Sequence, residues 1–125
     1  MTPLLFVAVA LAGGVGSAAC LLIDGLIRTR WASSFPWGTT VINLTGSFLL
    51  GLVTGLAMAH VLDDAWKVVI GTGLLGGYTT FSTASVETVR LLRAGRLRAG
   101  LANGLGMLAG AVLASALGVW LGLLF

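Results

Sequence analysis

Charge is what this chain has least of. Only 9% of its 125 residues are Asp, Glu, Lys or Arg, against about 25% in an ordinary soluble domain. That scarcity excludes a solvated globular surface. It also removes the usual reason to read a net charge of +3 as nucleic-acid binding, because the arginines gather at the ends of apolar segments, where they anchor and orient a membrane protein. The single cysteine, Cys20, cannot close an internal disulfide. With one histidine in the chain there is no Cys/His zinc spacing either. That histidine, His60, stands at the end of a hydrophobic run and reads as an interfacial residue. No Ser/His/Asp arrangement, carboxylate pair or phosphate-cradling loop is present, so no enzyme is expected. There is no linker or low-complexity tract.

What the chain has is apolar length. It is 58% hydrophobic with a mean hydropathy of +1.06, and its 19 glycines suit helices that approach closely within a bilayer. Four segments reach the ~20 residues that a spanning helix needs. They run roughly over Pro3–Ile27, Trp37–His60, Ala65–Leu92 and Leu101–Phe125. The connections are short, so residues 1–125 are expected to form one four-helix transmembrane domain. Ser17-Ala18-Ala19-Cys20 faintly resembles a lipoprotein cleavage site. No Lys or Arg precedes that apolar run, however, and the run continues through Leu21, Leu22 and Ile23, so a retained helix is expected. Arg28, Arg30, Arg90, Arg93, Arg96 and Arg98 fall on one side and only Lys67, beside Asp63 and Asp64, on the other. The positive-inside rule then puts the arginine-rich connections in the cytoplasm and both termini outside.

The third segment contains its own interruption. Gly76-Gly77-Tyr78-Thr79-Thr80-Phe81-Ser82-Thr83 is a poor lipid-facing helix, and irregular backbone at membrane depth survives only where protein buries it or a polar path runs beside it. Broken helices of this kind hold or pass ions. Asn43 lies in an otherwise apolar run and admits two roles. It can hydrogen-bond between helices, or it can donate its two N–H groups to a permeating anion. Thr39, Thr40, Thr45, Ser47 and Thr54 could extend a hydroxyl lining, although most such residues bond the carbonyl one turn back. Gly51/Gly55 and Gly106/Gly110 have GxxxG spacing and are expected to pack helices. The last segment looks like a packing surface, with Asn103 its notable polar group. Glu87 is either an interfacial carboxylate paired with Arg90 or a proton carrier, and the nearness of Arg90 favours the first. Asp24 and Arg28 form a similar i,i+4 pair.

Phe35-Pro36-Trp37-Gly38-Thr39, Asn43-Leu44-Thr45-Gly46-Ser47-Phe48 and Gly76-Gly77-Tyr78-Thr79-Thr80-Phe81-Ser82-Thr83 with Glu87 resemble the Fluc (CrcB) fluoride channels. The likeness extends to Gly13-Gly14-Val15-Gly16-Ser17 and covers essentially the whole chain. It implies an all-α membrane fold of four helices with a broken third helix, assembled as an antiparallel, dual-topology dimer in the cell membrane. It also implies passive export of cytoplasmic fluoride and a structural Na⁺ at the dimer centre, held by main-chain oxygens that fall here on Gly76 and Thr79. The family's pore asparagine falls on Asn43 and its first pore phenylalanine on Phe81. Ser82 and Thr83 could donate O–H bonds to the anion, and the positive edge of the Phe81 ring could meet it.

Three positions depart from that pattern. Ala84 stands where the family usually has a second Phe, Cys20 where it usually has Arg, and Tyr78 where it commonly has an apolar residue. An antiparallel homodimer needs one sequence to insert both ways, and a six-to-one bias of basic residues opposes that. The expectation is therefore a heterodimer with an oppositely inserted family member that retains the Phe and the Arg, with the homodimer as the alternative. Two further readings are a non-conducting partner subunit and a small proton-coupled exporter, the latter lacking a carboxylate in the middle of the first span.

Overall fold

A computed structural model of the chain describes residues 2–31 and 35–125, which form helices and short turns with no strand among them. The first helix, α1 (Pro3–Arg30), starts where local chemistry favours it. Thr2 accepts a hydrogen bond from the Leu5 N–H at 3.1 Å, and Pro3 occupies the first turn, where its missing N–H costs nothing. Its 28 residues rise about 42 Å at 1.5 Å each, more than the ~30 Å of bilayer hydrocarbon. The next helix, α2 (Trp37–Met58), ends when His60 turns to φ 61°. The His60 N–H then reaches the Ala57 carbonyl at 3.1 Å and the Val61 N–H that of Leu56 at 3.0 Å. This paired bond pattern satisfies the last carbonyls of the helix and normally recruits glycine.

Residues 64–93 divide into pieces. They are α3 (Asp64–Lys67), a π-helical stretch Val68–Leu75, the single turn α4 (Gly76–Tyr78), two extended residues and α5 (Phe81–Arg93). Gly95, at φ 78°, ends α5 with the same cap that His60 makes. The last helical stretch comprises α6 (Leu97–Leu101), a π-helical turn Ala102–Gly106 and α7 (Met107–Leu123). Among the described residues, three helices, Pro3–Arg30, Trp37–Met58 and Leu97–Leu123, are long and apolar enough to cross a membrane. The third expected span, residues 65–92, thus comprises several shorter helical pieces, and the fourth begins four residues earlier than its hydropathy suggests.

Glycine sets how closely these helices pack. A methyl group on Gly51 would run into the Ser115 carbonyl, and one on Gly118 into the backbone of Phe48 and Leu52. Gly55 and Gly122 meet the opposite backbone in the same way. The α2–α7 seam is thus backbone against backbone, the contact that small residues spaced four apart permit. Gly51 and Gly55 act as their spacing predicts. On the last helix the close pair is Gly118 and Gly122, since Gly106 faces open space and Gly110 meets only the Leu44 side chain. The same device joins α1 to the third stretch, where Gly77 abuts the Gly13 carbonyl and Gly16 abuts that of Leu74.

Polarity runs inside out. Thr39 and Asn103 are among the most buried side chains, whereas Leu11, Leu21 and Leu113 are largely exposed. Such an apolar exterior, on helices of spanning length, belongs to a multi-pass membrane protein.

Candidate functional site

The backbone leaves the helix at Thr79 (φ −84°, ψ 156°) and Thr80 (φ −142°, ψ 117°). Asn43 on α2 holds it there. Its Nδ2 donates to the Thr80 carbonyl at 2.8 Å, and its Oδ1 accepts from the Thr80 N–H at 2.8 Å. The side-chain amide therefore pairs with the peptide much as a neighbouring strand would. The Thr80 N–H needs an acceptor, which fixes the orientation of the amide. Gly46, one turn further along α2, leaves room for Thr79 and Tyr78 to lie against it.

This pairing changes the bonding of the preceding turn. In a continued helix the Thr80 N–H would serve the Gly76 carbonyl, and the Thr83 N–H would serve that of Thr79. The first goes instead to Asn43, and the second goes to Thr80 Oγ1 at 3.2 Å. Gly76 and Thr79 thus lose the helical donors their carbonyls would otherwise have. Ser17 Oγ on α1 donates to the Gly77 carbonyl at 3.3 Å.

Beside the break lies a groove of about 530 Å³, bounded by α2, α5 and α7. Asn43, Thr79, Phe81, Ala84 and Thr88 line it, together with Asn103. Phe81 is 87% exposed, and Ala84 leaves the wall beside it low. The remaining N–H of Asn43 points to the Met107 sulfur at 3.1 Å, a weak acceptor. Ser82 and Thr83, grouped with these residues on sequence grounds, lie exposed on α5 and do not line the groove. Thr40, Thr45 and Thr54 bond the carbonyl four residues back, at 3.2, 2.7 and 2.8 Å. These hydroxyls thus bond back onto their own helix, and that of Thr45 also meets Tyr78.

Residues 7–123 match the family model described as CrcB-like protein, Camphor Resistance (CrcB). The chain is 57% identical over 122 residues to the fluoride-specific ion channel FluC 1 of Leifsonia xyli subsp. xyli, covering 98% of this chain and 89% of that one. It is 47% identical over 115 residues to FluC 2 of Cutibacterium acnes, covering 91% and 94%. It is 48% identical over 93 residues to FluC 3 of Bifidobacterium longum, covering 74% and 77%. The chain belongs to the CrcB family. That family consists of ion channels and not enzymes, in keeping with the missing catalytic arrangements.

The partners of two polar residues in this CrcB chain differ from, or go beyond, what the sequence indicated. Glu87 does not pair with Arg90. Its Oε2 lies 3.5 Å from Arg28 Nη2 across on α1, and Arg28 Nε also holds Asp24 Oδ2 at 2.9 Å. One guanidinium therefore joins two carboxylates and ties α5 to α1. The second residue is Asn103, 1% exposed, which donates to Thr88 Oγ1 at 2.9 Å. Thr88 in turn donates to the Ala84 carbonyl at 2.8 Å. Tyr78 places its hydroxyl 3.1 Å from that of Thr45, which gives this tyrosine a polar partner.

Proposed function

We propose that the chain is one subunit of a fluoride channel that lets the anion leave the cytoplasm passively, and that residues 64–93 are a membrane helix broken at Thr79–Thr80. The curated relatives are named as fluoride-specific channels. The observation that carries the reading is the diversion of the Thr80 and Thr83 N–H groups to Asn43 and Thr80 Oγ1. It supplies unusual main-chain oxygens at membrane depth, beside a groove that holds an amide and an exposed phenyl ring.

A structural Na⁺ fits this chemistry. Hard cations take oxygen ligands, and the described residues contain no cluster of His, Cys, Asp or Glu able to hold a metal. The carbonyls of Gly76 and Thr79 would be this subunit's share, with an antiparallel partner supplying its own. When bound, the ion would offset the negative ends of these carbonyl dipoles.

Fluoride is small and strongly hydrated, so a narrow path must replace its water with fixed donors. The Asn43 N–H now directed at the Met107 sulfur is well suited, because fluoride is a far better acceptor than a thioether. The Phe81 ring edge and the Ser82 and Thr83 hydroxyls, exposed in the single subunit, offer further weak contacts. Many weak sites suit conduction better than one tight one. Neutral HF enters from acidic surroundings and ionises in the cytoplasm. A negative-inside potential then drives the anion out at about 2.3 kcal/mol per 100 mV.

The partner in this reading is a second CrcB-family subunit inserted the opposite way. The six-to-one bias of basic residues favours insertion of this chain with both termini outside, and the space beside Ala84 lacks a ring that the partner would supply. A homodimer is the alternative. A non-conducting subunit is favoured by the same Ala84 and by Cys20. The exporter reading loses support, since Glu87 is tied to Arg28 across α1 and α5 and no carboxylate lies in the middle of the first span.

The test is fluoride efflux from liposomes that hold the chain alone, and then the chain with a co-purifying family member. Release only with the partner supports the heterodimer. Release from the chain alone overturns it, and no release in either case overturns the channel.

A further inference from the structure

We propose that a cleft at the arginine-rich end of the molecule binds the phosphodiester headgroup of an anionic phospholipid. The cleft measures about 640 Å³ and lies between the last turns of α1 and α5 and the start of α2, a size that suits a small ligand. One wall is aromatic. Trp31 and Trp37 meet edge to face, with centroids 6.2 Å apart and planes at 87°, and Phe35 packs on Trp37 at 4.8 Å. Indoles collect at the depth of lipid headgroups because their rings are apolar and their N–H groups need a partner. Both tryptophans remain substantially exposed, so the wall is not a closed core.

The other wall carries the charge. Arg28, Arg90 and Arg96 line it together with Glu87. Arg28 is committed to two carboxylates, Asp24 and Glu87, and it shields the cleft from the negative charge of Glu87. Arg90, one turn beyond Glu87, forms no ion pair among the described residues and is exposed. Its planar fork of donors matches a phosphate in two-point contact. Basic recesses between membrane helices on the cytoplasmic side are where anionic headgroups bind.

A lipid fits better than a free phosphate. Inorganic phosphate would use the guanidinium and leave the aromatic wall untouched. A phospholipid would set its phosphate on Arg90, its glycerol region against the indoles, and its acyl chains along α1, where Leu22 and Leu26 are exposed within two turns before Arg28. The inference is independent of the fluoride reading. It requires only that this end of the molecule face a membrane surface.

Native mass spectrometry of the purified assembly in detergent tests it, with dioleoyl phosphatidylglycerol, dioleoyl phosphatidylcholine and inorganic phosphate as probes. Phosphatidylglycerol should bind about tenfold more tightly than phosphatidylcholine, and millimolar phosphate should not displace it. Arg90→Gln should weaken phosphatidylglycerol about fivefold, equivalent to the ~1 kcal/mol that one basic residue contributes at an anionic surface, and leave phosphatidylcholine unchanged. Glu87→Gln should strengthen it. Arg90→Lys, read beside a thermal melt, serves if the Gln variant fails to fold; it keeps the charge, loses the fork and should bind less tightly than wild type. Equal binding of the two lipids, displacement by phosphate, or Arg90 variants that bind as wild type would each overturn the proposal.

Discussion

Replacing Asn43 with Ala removes the side chain that holds the backbone open at Thr80. Two hydrogen bonds of 2.8 Å disappear, worth about 1 kcal/mol each. The Thr80 N–H and carbonyl, in a part-buried setting, then face a penalty of about 1–3 kcal/mol apiece if nothing replaces the amide. The chain can escape part of that penalty by straightening, so that the Thr80 N–H returns to the Gly76 carbonyl. That relief would consume one of the two oxygens proposed to hold Na⁺. The assay is a thermal melt in detergent, with sodium and with an organic cation in its place. Sodium at a hundred times its dissociation constant adds about 2.7 kcal/mol to the folded state, so the wild-type melt should rise with sodium. Asn43→Ala should melt lower and lose that rise. Asn43→Asp retains an acceptor for the Thr80 N–H but sets an oxygen against the Thr80 carbonyl, so it should melt lower and keep the sodium response. An alanine variant with wild-type stability and an undiminished sodium response would refute the reasoning.

Other substitutions probe the packing and the groove. Gly118→Leu should push α2 from α7, because its Cβ meets the backbone of Phe48 and Leu52, at a cost of about 3 kcal/mol or more; poor recovery of monodisperse protein would register it, and normal recovery would contradict the seam. Ala84→Phe, which fills the low wall of the groove, should raise the fluoride flux of this subunit's own pore, measured with a fluoride electrode. Unchanged flux would mean that the missing ring does not limit conduction. His60→Gly relieves a left-handed residue that costs about 1–2 kcal/mol, offset in part by the added freedom of glycine in the unfolded chain, and should raise the melting temperature slightly.

The spans with unbroken hydropathy, residues 3–27 and 37–60, were legible almost to their ends. The last stretch was not, because Leu97-Arg98-Ala99-Gly100 is too polar to mark a span yet continues the helix. Neither π-helical segment could be read, since their wider turn leaves no clear apolar period and Gly71 and Gly73 read equally well as packing glycines. The composition of residues 76–83 pointed to a disturbed helix, whereas the extended backbone is confined to Thr79 and Thr80. Its clamp was not, because a contact between Asn43 and Thr80, 37 residues apart, has no local signature. The same limit explains Glu87, whose neighbour in sequence is Arg90 but whose neighbour in space is Arg28. Gly118 and Gly122 share the spacing of Gly106 and Gly110, so only the face that each pair presents to α2 separates them.

The most direct measurement is anion-selective release from liposomes loaded with equal fluoride and chloride, containing this chain alone or with a co-purifying family member and followed by electrodes for both ions. A polar, ring-flanked groove beside the Thr79–Thr80 break predicts rapid fluoride release with chloride retained, lost in Phe81→Ala. Release of both ions at similar rates, or of neither from well-folded protein, would contradict it.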